Sequence, residues 1–358
     1  MTVATSARAD RLVDGLAERE LDAIIVTNLV NVRYLTGFTG SNGLAIVSPD
    51  MRVFVTDFRY VEQAEKQVPD FELARGKQDL LSDAVKRLSG RVGFEDTHVT
   101  VRQYERLQEL VPEGVELVGA GGAIEELRAV KDSEELRLIR EAAELSDQVF
   151  QYIASGPIVG RTEREVAVDL EHWMRLHGAE RPSFPSIVAS GPHGALPHAV
   201  PRDEPIAADT LITFDLGCVV EGYCSDCTRT FATGEISDEM REVYELVLSA
   251  QLAALEAVRP GAENSAVDAA SREPITAAGH GDHYGHGLGH GVGLDIHEAP
   301  RLAQTAEGSL VAGNVVTIEP GVYIPGKFGV RIEDLVTVTD DGAEIFTHFP
   351  KSLITLGS

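Results

Sequence analysis

The chain has 358 residues, more than the roughly 250 to 300 at which a single core stops growing, so two domains are expected. Hydrophobic residues make up 43% and charged residues 25% of it, an ordinary globular mix that excludes a disordered chain. Its formal net charge of −26 repels phosphate backbones and anionic membrane surfaces, which argues against a nucleic-acid partner and leaves open whether the carboxylates serve solubility or hold cations.

The stretch MTVATSARADRLVDGL lacks a basic start followed by an apolar run, and no segment reaches the ~18 apolar residues of a membrane helix. A cytoplasmic protein with no membrane partner is expected. Cys218, Cys224 and Cys227 are odd in number and crowded together, unlike a secreted disulfide framework. Cys224 and Cys227 form a CxxC, but no second pair completes a four-thiolate zinc site.

Residues 10–127 alternate between helical and strand patterns. A helix is predicted from Arg11 to Arg19, then apolar runs at Ala23–Val26, Leu44–Val47 and Val53–Thr56. Helical stretches follow near Tyr60–Val68 and Gln78–Leu88, and a short strand at Arg91–Gly93. This is the pattern of an α/β domain. Gly119, Gly121 and Gly122 precede a helix, but their spacing misses GxGxxG, so a loop is expected instead of a phosphate cradle. From Ile124 to Ile153, Leu127, Val130, Leu136, Ile139, Ala142, Ala143 and Leu145 recur at helical intervals, which predicts one or two amphipathic helices. Ser133, ahead of Glu134 and Glu135, is the expected cap, because a hydroxyl satisfies free N–H groups and acids suit the positive helix end. The change of pattern gives domains 1–127 and 128–358, with further helices around 163–177 and 238–258.

The segment TLITFDLGCVVEGYCSDCTRTFATG, residues 210–234, reads as two β-rich runs around a turn at Val220–Gly222. Centring the hairpin between Val220 and Glu221 sets Asp215 directly opposite Asp226. Opposed carboxylates repel at a Cβ separation of about 5 Å unless something positive lies between them, and a divalent cation removes that conflict. The construction recurs in NVVTIEPGVYIPGKFGVRIEDLVTVT, residues 314–339, where a turn centred on Gly326 sets Glu319 opposite Glu333. One acidic pair could be chance in so acidic a chain. Two, each embedded in an apolar run where charge is costly, point to function.

Between the hairpins lies HGDHYGHGLGHGVGLDIHEAPRL, residues 280–302, with His280, His283, His286, His290 and His297 among glycines. Imidazoles supply nitrogen ligands or proton carriers near neutral pH. The HExxH zinc pattern is absent, since His297 and Glu298 are followed by Ala299, Pro300 and Arg301. Four carboxylates with one such imidazole form a hard, oxygen-rich set that favours Mn²⁺, with Co²⁺ or Zn²⁺ as alternatives. A pair of ions ~3.5 to 4 Å apart can share a hydroxide as nucleophile, so hydrolysis is the natural chemistry.

The motifs TFDLG, GYCSDCTRT, GHGLGHGVGLDIHE, TIEPGVY and GVRIEDLV, taken in order, resemble those of the pita-bread metallopeptidases. Within that group the likeness is to the proline-directed branch, prolidase (Xaa-Pro dipeptidase) and aminopeptidase P. FPSIVASG and ALPH upstream, and RYLTGFTGS and TDFRY in the first domain, extend it over nearly the whole chain. The resemblance implies a creatinase/prolidase-like α/β N-terminal domain that supports a homodimer and gives access to the active site. It implies an α+β C-terminal pita-bread domain with a curved antiparallel sheet. It makes Asp215, Asp226, His290, Glu319 and Glu333 the ligands of two divalent ions, Asp226 and Glu333 bridging them. It also makes His198 and His297 catalytic histidines beside the substrate, and Glu319 a proton shuttle. Phe184 takes the place of a wall for the proline ring and His286 of a support, while Arg331, two positions before Glu333 and so on the same face of its strand, is a candidate clamp for a substrate carboxylate or carbonyl, with Arg301 a second candidate. Substrates would be proline-containing dipeptides or short peptides. The competing reading is a non-peptidase amide hydrolase, such as a creatinase-like enzyme, on the same fold.

Overall fold

The apolar run Ala23–Val26 is buried at all four positions and forms a central strand, because a strand covered on both faces needs no polar alternation. The computed structural model describes residues 2–77 and 79–357. By its internal contacts the chain divides into two units, residues 1–128 and 129–358.

The first unit carries one six-stranded sheet in the order β4-β3-β2-β1-β5-β6. Its strands are β1 (Ala23–Val26), β2 (Gly43–Ser48), β3 (Met51–Thr56), β4 (Glu72–Arg75), β5 (Arg91–Phe94) and β6 (Glu116–Gly119). β1, β2 and β3 pair antiparallel, while β4, β5 and β6 add on parallel to their neighbours. Helices Thr2–Glu18, Val61–Gln67, Leu80–Ala84 and the 3₁₀ turn Val85–Arg87 occupy the stretches read as helical. The expected start of one of them, Gln78, lies outside the described residues. Helices Leu29–Thr36 and Val101–Leu110 and the strands β4 and β6 lie outside the elements expected from the sequence; both strands follow the pattern exposed, half-buried, half-buried, exposed, so neither shows an apolar run. The glycine cluster falls at the end of β6 and in the turn after it.

Two helices, Ala123–Ala129 at the end of the first unit and Ser133–Ser155 at the start of the second, fill the stretch read as one or two. Asp132, and not Ser133, caps the long one: its carboxylate accepts from the N–H groups of Glu134 and Glu135, and Glu135 answers in a capping box. A carboxylate one residue earlier wins because it reaches two donors and also meets the helix dipole. Helices Glu163–Leu176, Asp238–Ala257 and Asn264–Ala277 pack outside small antiparallel sheets. The strands are β7 (Arg181–Pro182), β8 (Ile187–Ser190), β9 (Leu211–Leu216), β10 (Cys218–Val220), β11 (Tyr223–Cys224), β12 (Cys227–Ala232), β13 (Gly289–Gly291), β14 (Glu298–Leu302), β15 (Val315–Ile318), β16 (Gly321–Ile324), β17 (Phe328–Arg331), β18 (Asp334–Val338) and β19 (Ala343–Ile345). Every strand pair in this unit is antiparallel.

The first acidic hairpin departs from the predicted register. Val220 pairs with Tyr223, and Asp215 faces Thr228 instead of Asp226. The cause is the turn. Glu221 and Gly222 both have positive φ, 44° and 84°, the two-residue primed turn whose twist suits a hairpin, so its centre lies one residue later than expected. That moves each partner by two positions, and side chains alternate with period two, so Asp226 stays on the face that carries Asp215. The second hairpin has the predicted register: Ile318 pairs with Asp334 and Gly321 with Arg331, which sets Glu319 across from Glu333. Replacing Gly222 by alanine forces a Cβ into the left-handed region and should lower stability by about 1 to 2 kcal/mol in urea unfolding, whereas asparagine should cost less.

Candidate metal centre

The five predicted ligands come together. Asp215 stands on β9, Asp226 in the break before β12, and Glu319 and Glu333 in the breaks between the two halves of the second hairpin. Oxygens of Asp215, Asp226 and Glu333 all lie within 4.8 Å of one another. The hairpins are stitched together by Glu333 N–H donating to Thr228 O at 3.1 Å. His290, on β13, brings Nε2 to 3.3 Å from Glu319 Oε1 and 3.6 Å from Asp226 Oδ2. Its Nδ1 lies 3.0 Å from Gly291 O, a bond that requires the proton on Nδ1 and leaves the Nε2 lone pair facing the carboxylates. A Cβ on Gly289, the residue before it, would lie 1.9 Å from Thr317 O, so only glycine lets β13 approach β15 this closely.

The four acids share one space, Asp226 and Glu333 buried and Asp215 and Glu319 half-buried, and burial is the largest cause of the shifts of Asp226, Glu333 and Glu319. Burial, then the neighbouring carboxylates Glu333 and Asp215, pushes Asp226 well up; burial, then Glu319 and Asp215, does the same to Glu333. Burial pushes Glu319 up to about 7. His290 is held below its ordinary value by burial, which keeps the imidazole neutral. Asp215 Oδ1 and Glu333 Oε1 are buried with no hydrogen-bond partner among the described residues. Orphaned carboxylate oxygens converging on a neutral imidazole are a donor set that hard divalent cations satisfy.

Around the acids lies a cavity of about 630 Å³. His198 and His297 stand exposed at it, the ring of His297 4.3 Å from that of His290. Phe184 is half-buried on its apolar side, with Ile187 and Ile296. Arg301 is exposed at the cavity, opposite His290 in register, and among the described residues its guanidinium has no partner.

Arg331 lines the cavity, as expected, but most of its donors are engaged within the protein. It is buried, and its donors go to Asp215 Oδ2 (2.7 Å), Tyr323 Oη (2.7 Å), Thr228 Oγ1 (3.1 Å) and Pro197 O (3.4 Å). A buried guanidinium must satisfy its N–H groups inside the protein, so it holds Asp215 and has at most one donor left for a substrate. His286 sits beside it. Its Nε2 is 3.0 Å from Tyr323 Oη and its Nδ1 2.7 Å from Gly287 O, so this histidine aims its nitrogens at the support and not at the acids. Burial, then the Arg331 charge, brings it down to about 4.

Thr228, which donates to Glu333 Oε2 at 2.7 Å, Thr317, which donates to Glu319 Oε1 at 3.0 Å, and Tyr323 escaped the sequence reading. The signal for all three was alternation. Thr228 is two residues from Asp226, Thr317 two from Glu319, and Tyr323 four from Glu319, so each shares a ligand's face.

Residues 137–340 match the model of metallopeptidase family M24, and residues 8–130 that of the creatinase/prolidase N-terminal domain. The chain belongs to metallopeptidase family M24. Among relatives of this metallopeptidase, an uncharacterized peptidase of Bacillus subtilis (strain 168), YqhT, is 41% identical, the match covering 98% of this chain and 100% of the relative. The structure of an Xaa-Pro dipeptidase from Bacillus anthracis is similar with a TM-score of 0.95 at 40% identity, covering 98% and 100%. That of an X-Pro aminopeptidase from Thermotoga maritima MSB8 is similar with a TM-score of 0.90 at 34% identity, again covering 98% and 100%. Family M24 on this pita-bread fold implies divalent metals, and the orphaned oxygens and neutral imidazole fit them.

Those shifts fix a sign. A carboxyl held at about 7 when folded and 4.5 when unfolded stabilises the metal-free fold fully below pH 4.5 and loses that contribution as pH rises to about 7. Chelator-treated protein should therefore melt progressively lower from pH 4.5 to 7, and adding Mn²⁺ should raise the melting temperature most at the upper end. Equal pH profiles with and without the ion would contradict this.

Proposed function

We propose that this metallopeptidase is an Xaa-Pro dipeptidase that uses two divalent ions, Mn²⁺ first among the candidates, held by Asp215, Asp226, His290, Glu319 and Glu333. The observation that carries the reading is the buried cluster of orphaned carboxylate oxygens at a cavity edged by His198, His297 and Arg301. Bound ions would supply Lewis acidity, bringing the pKa of water toward neutrality and polarising the scissile carbonyl.

The chain's own groups do the rest. Glu319 takes the proton that the attacking water loses and returns it to the imide nitrogen, whose bond to the carbonyl carbon then breaks. Proline's nitrogen needs that proton to leave as a neutral amine. His198 and His297 donate N–H groups to the substrate and steady the charge that develops on its carbonyl oxygen. Because proline's ring fixes φ and its nitrogen bears no N–H, recognition relies on shape, for which the apolar wall at Phe184 is suited. Arg301, exposed at the cavity and without a partner among the described residues, offers a two-point clamp to the free carboxylate of a dipeptide, which favours dipeptides over longer Xaa-Pro peptides. Arg331 serves by holding Asp215.

The likeness to an X-Pro aminopeptidase supports a second reading, aminopeptidase P, which differs in accepting a residue after proline. A Mn²⁺-loaded sample offered an Xaa-Pro dipeptide and the matched tripeptide separates the two: the dipeptide should be cleaved and the tripeptide spared. Arg301→Ala should raise KM for the dipeptide by about 10- to 100-fold, the worth of a charged hydrogen bond, and Glu319→Gln should abolish turnover. Cleavage of neither peptide would sink the peptidase assignment.

The match of residues 8–130 to the creatinase/prolidase N-terminal domain supports a homodimer formed through the first unit. Light scattering at micromolar concentration should give twice the chain mass of 38.6 kDa. The three buried free thiols suit a reducing compartment and support a cytoplasmic location.

A further inference from the structure

The stretch that delivers His290 belongs to no strand. Tyr284 to Leu288 runs from the 3₁₀ turn Gly281–His283 to β13 and includes Gly285 and Gly287. Such a backbone needs partners for its polar groups and something to restrain its freedom. One ion pair on the helix Asn264–Ala277 supplies both.

Asp268 and Arg272 stand one turn apart on that helix. Arg272 Nε and Nη2 donate to Asp268 Oδ2 and Oδ1 at 2.7 and 2.8 Å. The remaining bonds all go to the segment. Arg272 Nη1 donates to Tyr284 O at 2.9 Å, Nη2 donates to His286 O at 2.6 Å, and Asp268 Oδ1 accepts from Leu288 N–H at 2.9 Å. Residues 284, 286 and 288 are thus gripped at every second position, as a neighbouring strand would grip them. The guanidinium also lies 4.0 Å from the centre of the Tyr284 ring, and Tyr284 Oη is 3.3 Å from Ser271 Oγ. Asp268 is fully buried and the Arg272 side chain is 12% exposed, so the pair is a fixed part of the interior. Neither residue lines the cavity.

We propose that Asp268 and Arg272 are positioning residues for the metal centre. Their ion pair acts as a splint that fixes the backbone of residues 284–288, so that His290 presents Nε2 to the carboxylates and His286 meets Tyr323. The proposal rests on the reading of His290 as a metal ligand. Only a planar fork serves here, because a lysine ammonium cannot span Asp268 and two carbonyls together.

The test uses full-length Arg272→Lys and Asp268→Asn, with Val247→Ala, buried in the core of the same unit, as a stability control and His290→Ala as a ligand control. Mn²⁺ affinity is measured by chelator competition beside the melting temperature of the metal-free protein. Arg272→Lys and Asp268→Asn should each weaken Mn²⁺ binding by roughly 10- to 100-fold, the range for partners that orient a metal ligand. They should lower kcat more than they raise KM. Val247→Ala should lower the melting temperature and leave Mn²⁺ affinity at the wild-type value. If Arg272→Lys and Asp268→Asn also lower only the melting temperature, while His290→Ala weakens Mn²⁺ binding, the splint is merely structural and the proposal is wrong. If His290→Ala itself keeps wild-type affinity, the error lies in the ligand assignment.

Discussion

The centre of the second unit is organised around one electrostatic problem: Asp215, Asp226, Glu319 and Glu333 converge on one cavity, two of them buried and two half-buried. In a low-dielectric interior such charges cannot coexist uncompensated, so the protein must protonate them, counter them or bind cations. Arg331 counters one, at 2.7 Å from Asp215. Thr228 and Thr317 each give a single hydroxyl bond, which orients a carboxylate without cancelling its charge. What is left over, two oxygens without partners, is the part of the problem the polypeptide does not solve by itself.

The solution is assembled on sheet backbone, with the variable parts outside it. Each acid is placed by a strand end or a hairpin break, where register fixes position and the pleat fixes direction. The imidazole is the exception, since the histidine segment lacks a strand until Gly289 and depends on side chains for its geometry. At the cavity mouth, His198, His297 and Arg301 are exposed, so groups that would meet substrate are separable from groups that would hold metal.

Much of this was legible in the residues. The second hairpin could be registered from Pro325 and Gly326 alone, because a turn centred on Gly326 leaves one way to pair two β-branched runs. The first could not, because Glu221 does not announce a positive φ, and the centre fell one residue from its place. The face was still right, since an error of two preserves the alternation on which the acidic pairs depend. Arg331 was legible as a neighbour of Glu333 but not as a group consumed by Asp215, which only the folded path of β9 reveals. Least legible was the pair Asp268 and Arg272. An acid and a base one turn apart on a helix look like a surface ion pair, and nothing in the sequence says that this turn faces a glycine-rich segment. Several first-unit elements went unseen for a plainer reason: β4 and β6 are short strands without an apolar run.

The stitch between Thr228 and Glu333 also bears on how the protein folds. It joins residues 105 apart in the chain, so neither hairpin can complete the acidic cluster alone, and closing so long a loop costs entropy before any contact repays it. Until the hairpins dock, each carries its carboxylates in water, where they repel little and need no counter-charge. The cluster is complete only when both hairpins are in place, and a cation that binds the docked cluster but not the separate hairpins would shift the equilibrium toward the folded state.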